Sequence, residues 1–363
     1  MRKIILGIFL GFYLCLQAGC SMQPVRIVTK SANLQGRTDI PLLDISDSNS
    51  WHFVRSNDGN RPVLTASAGK IKAAQNCRVK YHWLHYPIRH CAVVEGRLEK
   101  TKRTYPVMVD TGASMPAVVN GIHILENRPA IYPLGNDKSH SADIGVCYLP
   151  ELRLGQIMFV DISGFYINKH LEIQFFGVPV VRDNTILLGL AFLQAFKYVL
   201  FDNIKKEVEF SYEELFEPEQ LHLWRKYPFV IKEKIKDNNA IFVEIPVEAE
   251  KMTLFLDTGC SELILPEKTW QIMCSNYTGV KLKTGDYLFY AREKLSCRKG
   301  VIKKLRLGDT TVRNVPVVVL ADDVMKSAVG DCNGLLGMSC FQDMVFVLDF
   351  HRSIMWIRNN VTF

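Results

Sequence analysis

Twice in this chain an apolar run ends in Asp-Thr-Gly: Val107-Met108-Val109-Asp110-Thr111-Gly112-Ala113-Ser114, and then Leu254-Phe255-Leu256-Asp257-Thr258-Gly259-Cys260-Ser261. An apolar strand leading into this triplet sets a carboxylate on a tight turn, where glycine permits close backbone approach. Two such turns brought together would make a carboxylate pair. Like charges held close together cannot both ionise, so the pair shares a proton, one member serving as base and the other as acid. A single Asp-Thr-Gly would be a weak signal, because three common residues often mark a plain turn.

The surroundings of the triplet repeat as well. Leu152-Arg153-Leu154-Gly155 is matched by Leu305-Arg306-Leu307-Gly308, and Leu187-Leu188-Gly189 by Leu335-Leu336-Gly337, always in the same order after an Asp-Thr-Gly. The offset drifts by a few residues between landmarks. Loops tolerate length changes that packed strands do not, so the pattern reads as an internal duplication with insertions in surface hairpins. Short runs of β-branched and aromatic residues bounded by Gly, Pro, Asn and Asp make each copy all-β.

Each copy resembles one lobe of a retropepsin-like aspartic protease: an apolar strand into Asp-Thr-Gly-x-Ser, a polar hairpin region, an apolar-apolar-Gly segment, and a Phe-containing stretch at Phe192-Leu193-Gln194-Ala195-Phe196 or Phe341-Gln342-Asp343-Met344. With both lobes on one chain, it is also similar to the pepsins. The resemblance runs from about Arg78 to Phe363, the connector excepted. It implies an all-β fold with two lobes in a pseudo-twofold bilobal arrangement. It further implies an aspartic endopeptidase without cofactor or metal, Asp110 and Asp257 being the catalytic pair around one water. Thr111 and Thr258 would cross-link the two turns, Gly112 and Gly259 would donate backbone N–H groups, and Ser114 and Ser261 would bond the outer carboxylate oxygens. Hairpins at about Ile131 to Tyr148 and Asp286 to Arg298 stand where the family carries flaps, with tips near Gly135-Asn136-Asp137 and Ala291-Arg292-Glu293.

Two other readings stay open. The lobes could bind peptides or envelope polymers without cutting them, since a fold alone does not establish activity. Each lobe could instead pair with its twin in a second molecule, although a monomer holding an internal pseudo-dimer is the expectation. Cys260 departs from Ala113 of the first copy; small buried cysteines mostly pack as apolar residues, and no His stands near in sequence to activate it as a nucleophile.

At the N-terminus, Arg2 and Lys3 precede an apolar run from Ile4 to Leu16, too short to span a bilayer comfortably, then Ala18-Gly19-Cys20. This reads as an export signal. The small residues before Cys20 resemble the lipobox of bacterial lipoproteins, with Cys20 lipidated, though Gln17 stands where that pattern has an aliphatic residue. Ordinary cleavage or a retained anchor are the alternatives. The expected location is the cell envelope, lipid-anchored to the outer membrane and facing the periplasm. The domain plan is 1–20 signal peptide, 21–71 tether, 72–212 first lobe, 213–227 connector and 228–363 second lobe. A short strand is expected near Trp51-His52-Phe53, a short helical connector broken by Pro218 over Glu213 to Trp224, and a helix at Glu267 to Cys274.

Composition narrows the partners. Of 363 residues 48% are hydrophobic, and the formal net charge is +7 with Lys and Arg dispersed among Asp and Glu. This is a globular chain, and without an aromatic-interleaved basic stripe its mild basicity is poor evidence for nucleic-acid binding, so no nucleic-acid partner is expected; a peptide or protein substrate is what the family resemblance implies. Of ten cysteines, Cys77, Cys91, Cys147, Cys260, Cys274, Cys297, Cys332 and Cys340 lie beyond the leader. Export permits disulfides, with Cys77 to Cys91 or Cys274 to Cys297 as plausible partners and buried free thiols as the alternative. Neither cysteine spacing nor the nine scattered His suggests zinc.

Overall fold

The structure is a computed structural model that describes residues 25–31, 51–55, 62–66, 70–71, 77–83, 91–98, 104–115, 117–120, 130–137, 142–167, 169–175, 178–182, 185–235, 238–274, 280–289 and 293–358. The expected lipidation site, Cys20, and the second hairpin tip at 290–292 lie outside the described residues, as does the signal segment.

Strands make up most of what is described, so the fold is all-β. Burial alternates where one face meets solvent, as in Ala92–Leu98, and becomes continuous where both faces are covered, as in Leu263–Pro266. One path of pairings occurs twice. In the first half, Thr104–Asp110 pairs antiparallel with Ala92–Leu98, while Ile186–Gly189 runs parallel to Thr104–Asp110 and antiparallel to Ala117–Asn120. In the second half, Glu250–Leu256 pairs antiparallel with Asn238–Val247, while Gly334–Leu336 runs parallel to Glu250–Leu256 and antiparallel to Leu263–Pro266.

The repeated Leu-Arg-Leu-Gly has a local cause. Its glycine turns the hairpin between Ala142–Leu154 and Ile157–Ile167 in one half, and between Glu293–Leu307 and Thr310–Leu320 in the other. Both glycines adopt a left-handed backbone, φ +58 at Gly155 and +61 at Gly308, where a side chain is strained.

A six-stranded antiparallel sheet joins the halves, in the order Cys77–Trp83, Glu207–Ser211, Tyr198–Asp202, Val345–Asp349, Ile354–Arg358, Trp224–Ile235. Its outer strands continue into the two halves, Cys77–Trp83 pairing with Ala92–Leu98 and Trp224–Ile235 with Asn238–Val247. The largest apolar cluster among the described residues draws on both halves, with three smaller clusters beside it. Phe346 stacks on Phe201 and on Phe341, centroids 4.7 and 4.4 Å apart. Each of these rings is fully buried, worth roughly 2–3 kcal/mol apiece. The buried Glu209 is satisfied by the Tyr198 hydroxyl at 2.6 Å and by Arg78, so the sheet carries its polar group with partners.

Several expectations are corrected here. Between Glu213 and Trp224 the structure has a 3-10 turn over Leu221–Leu223 and otherwise irregular chain, and Trp224 already begins a strand. Pro218 and the left-handed Gln220 interrupt helical pairing, and burial of Phe216 against Tyr198, Trp224 and Trp356 overrides helical propensity. The stretch read as a tether carries more strand than expected: Val25–Ser31 pairs with Lys169–Phe175, and Trp51–Arg55 with Pro62–Ala66. The helix Glu267–Cys274 is present; the helix Asp322–Val329 and the strand Glu207–Ser211 had not been read.

Neither proposed disulfide forms: Cys77, Cys91 and Cys297 are free thiols. Their sulfurs face different partners, Leu154 O at 3.8 Å for Cys77, Gly259 O at 3.0 Å for Cys91 and Gly285 O at 3.3 Å for Cys297. Among the described residues no helix is long and apolar enough to cross a membrane.

Candidate active site

Thr104–Asp110 and Glu250–Leu256 deliver their Asp-Thr-Gly loops to one place between the halves. Local geometry is the same in each: the Gly112 N–H donates to Oδ1 of Asp110 at 2.8 Å, and the Gly259 N–H to Oδ1 of Asp257 at 2.9 Å. The Ala113 N–H closes the first turn on the Asp110 carbonyl, and the Cys260 N–H closes the second on that of Asp257. A short donor two residues on therefore fixes each carboxylate before any neighbour is considered.

Four hydrogen bonds then tie the loops together. The Thr111 N–H donates to Thr258 Oγ1 at 2.9 Å and the Thr258 N–H to Thr111 Oγ1 at 3.0 Å. The Thr111 hydroxyl donates to Leu256 O at 2.9 Å, and the Thr258 hydroxyl to Val109 O at 2.7 Å. Both threonines are completely buried, so every one of these groups depends on its partner across the interface.

This reciprocity brings the carboxylates together. A methyl group placed on Gly112 would stand 2.4 Å from Cγ of Asp257, and one on Gly259 would stand 2.4 Å from Cγ of Asp110. Each aspartate thus occupies the space that the opposite glycine leaves vacant. Asp257 is 4% exposed, and Asp110 is more exposed than its partner.

Residues 243–340 match the aspartyl protease family model. The matched span includes Asp257, Thr258, Gly259, Ser261 and Gly337, and this part of the chain is an aspartyl-protease-like domain. No curated protein matches the chain. Among solved structures, that of conglutin gamma, a basic 7S globulin from lupine seeds, is similar over 80% of this chain and 95% of that one, with 8% identity and a TM-score of 0.45.

The Leu-Leu-Gly motifs back the two loops. The Leu190 N–H donates to Ala113 O at 2.7 Å, and Met338 N–H to Cys260 O at 2.8 Å. A side chain at Gly189 would lie 1.9 Å from Met115 O, and one at Gly337 would lie 2.4 Å from Glu262 O. Only glycine lets these strand ends pass so close behind the Asp-Thr-Gly loops. Ser114 and Ser261 sit in the same loops, Ser261 buried and its carbonyl accepting the Ser339 N–H at 2.9 Å.

The two loops differ in chemistry past the glycine. Where the first has Ala113-Ser114-Met115, the second has Cys260-Ser261-Glu262. The Tyr287 hydroxyl, from the hairpin strand Lys283–Phe289, donates to Oε2 of Glu262 at 3.2 Å and lies 3.6 Å from the Cys260 sulfur. Burial first, then the Glu262 and Asp257 carboxylates, push the Cys260 thiol well above its ordinary range. It is therefore a neutral thiol, with the low reactivity that protonation and burial impose. Cys91, fully buried in the first half, donates its thiol to the Gly259 carbonyl and braces the second loop from across the interface. Sequence reasoning missed Cys91, Glu262 and Tyr287; only Glu262, inside an extended Asp-Thr-Gly motif, left any signal.

The hairpins expected as flaps are present as Ala130–Asp137 with Ala142–Leu154 and Lys283–Phe289 with Glu293–Leu307, but the expected tip Gly135-Asn136-Asp137 is paired strand, opposite Ile144, Asp143 and Ala142.

Proposed function

We propose that this chain is an aspartic endopeptidase whose dyad is Asp110 and Asp257, both supplied by one molecule. The observation that carries the reading is the crossed fit in which each Asp-Thr-Gly glycine lies against the opposite carboxylate. Such a pair holds a water between its members. The ionised carboxylate takes a proton from that water as the oxygen attacks the peptide carbonyl, and the protonated carboxyl donates to the carbonyl oxygen. Collapse of the tetrahedral diol breaks the C–N bond, and the amine nitrogen leaves with a proton from the dyad. Thr111 and Thr258 hold the loops in register, Gly112 and Gly259 orient the carboxylates, and Ser114 and Ser261 support their outer oxygens.

The repeated path of strand pairing supports two retropepsin-like lobes, 72–212 and 228–363, related by a pseudo-twofold axis and linked by 213–227. A dyad assembled inside one chain supports a working monomer. The hairpins close over an extended peptide bound as an added strand. Arg2, Lys3, the apolar run and Ala18-Gly19-Cys20 support export and a lipid anchor at Cys20 in the outer membrane, with the body facing the periplasm. Radiolabelled fatty acid should enter the wild-type chain and not Cys20→Ala.

The test of the activity is a fluorogenic peptide library with a pepstatin-type inhibitor, whose hydroxyl occupies the place of the attacking water. Cleavage blocked at one inhibitor per chain is the expected result; cleavage indifferent to saturating inhibitor contradicts it.

A further inference from the structure

The two halves of the site are unequal in charge. Beyond the shared aspartates, the second loop alone brings a further carboxylate, Glu262, where the first has the uncharged Met115. Glu262 is partly exposed, and the Tyr287 hydroxyl holds its Oε2 while Oε1 has no hydrogen-bond partner among the described residues. Nor does any cation pair with it there, although Glu207, Glu209, Glu217, Glu244 and Glu267 each have a Lys or Arg within ion-pair distance.

The nearest groups do not neutralise it. Cys260 is a neutral thiol, the aspartate pair adds the negative charge that its two carboxylates share, and Lys299 stands with Nζ 5.5 Å from the Tyr287 ring centroid without pairing to Glu262. The buried Tyr287 belongs to the same apolar cluster as Cys260, Phe255 and Leu335, which fixes the carboxylate's orientation from the hairpin side. A carboxylate oriented by Tyr287, in the loop that carries Asp257 and with no cation paired to it among the described residues, directs negative potential at whatever binds beside it.

We infer that Glu262 selects a cationic side chain, Lys or Arg, near the scissile bond on the Asp257 side of the cleft. This rests on the peptidase reading above. The incoming ammonium or guanidinium takes the open oxygen of Glu262, Tyr287 keeps the other, and the charge that no described residue compensates is paired by substrate. Selection is one-sided, because Ala113 and Met115 offer no counterpart across the dyad. Glu262 acts here as a specificity residue. Tyr287 is a positioning residue that acts through it.

The test uses fluorescein-labelled peptides of one sequence in which Lys, norleucine or Glu is moved through the central positions, read by anisotropy for binding and by chromatography for cleavage. Wild type is expected to favour Lys over norleucine at one position by about fivefold, the size of a partly exposed charge pair. Glu262→Gln, which keeps the shape and the Tyr287 bond, should bring that ratio to about one. Tyr287→Phe should lower it partway, and Glu262→Lys should reverse it in favour of Glu. A ratio of one at every position in wild type, or a Lys preference that survives Glu262→Gln, overturns the inference. Preferential binding of the Lys peptide without any cleavage supports Glu262 as the selector while refuting the peptidase reading, so the two failures are distinct.

Discussion

Thr111 and Thr258 each give a backbone N–H to the other's hydroxyl, at 2.9 and 3.0 Å, and each hydroxyl passes its own proton to the strand behind its partner. No member of this exchange can be removed without stranding a buried donor. Thr111→Val or Thr258→Val should therefore destabilise the fold by about 1–3 kcal/mol, while the corresponding Ser variants lose much less. Urea denaturation measures the difference, and kcat/KM should fall in the same order as the two loops lose register.

Gly112 and Gly259 make a sharper case, since the atom that a mutation adds has a defined neighbour. Gly112→Ala pushes a methyl into Asp257 and Gly259→Ala pushes one into Asp110. Either variant should lose at least ~100-fold in peptide hydrolysis, because displacement of about 1 Å at a catalytic pair costs that much. Near-native hydrolysis by either would show that the carboxylates do not need their crossed fit.

Stability should distinguish glycines that look alike in sequence. At Gly189 and Gly337 the obstruction is backbone carbonyl, which cannot swing aside, so alanine there should cost about 3 kcal/mol or more. At Gly285 nothing lies within 4 Å of an added methyl, and Gly285→Ala should stay within about 0.5 kcal/mol of wild type. Thermal unfolding of the three variants side by side checks both statements.

Alkali acts through the buried thiols. Burial pushes Cys147 and Cys340 from 9.0 to about 12, so above pH ~9 the unfolded chain releases protons that the folded chain retains. Stability is unaffected by these groups below their unfolded range and falls as pH rises from about 9 to about 12, by about 1 kcal/mol per pH unit for each thiol. Denaturation midpoints across that range should drop less in Cys147→Ala or Cys340→Ala than in wild type. Cys260, also held protonated, should resist iodoacetamide at pH 8 in the folded protein and react freely in urea.

What was legible in the sequence was the set of paired motifs. The paired Asp-Thr-Gly, Leu-Arg-Leu-Gly and Leu-Leu-Gly landmarks located the two loops, the two hairpin turns and the two backing strands, because each motif meets a local backbone requirement that only certain residues satisfy. Features set by tertiary partners were not legible. Phe216 and Trp224 leave the expected connector helix for an aromatic cluster drawn from distant strands, and Glu207–Ser211 becomes a strand because the central sheet offers it two neighbours. The cysteines misled for the same reason: Cys91 has no signature in sequence, yet its partner is Gly259 across the interface. Glu262 stood inside the motif, but its role depends on Tyr287 from a hairpin that sequence placed only approximately.

Single substitution of the two aspartates tests the dyad most directly. With purified protein and one fluorogenic peptide, Asp110→Asn and Asp257→Asn should each lower kcat by at least ~1,000-fold while leaving the unfolding midpoint near that of wild type. A variant of either kind that hydrolyses the peptide at the wild-type rate would contradict a shared, single-chain dyad.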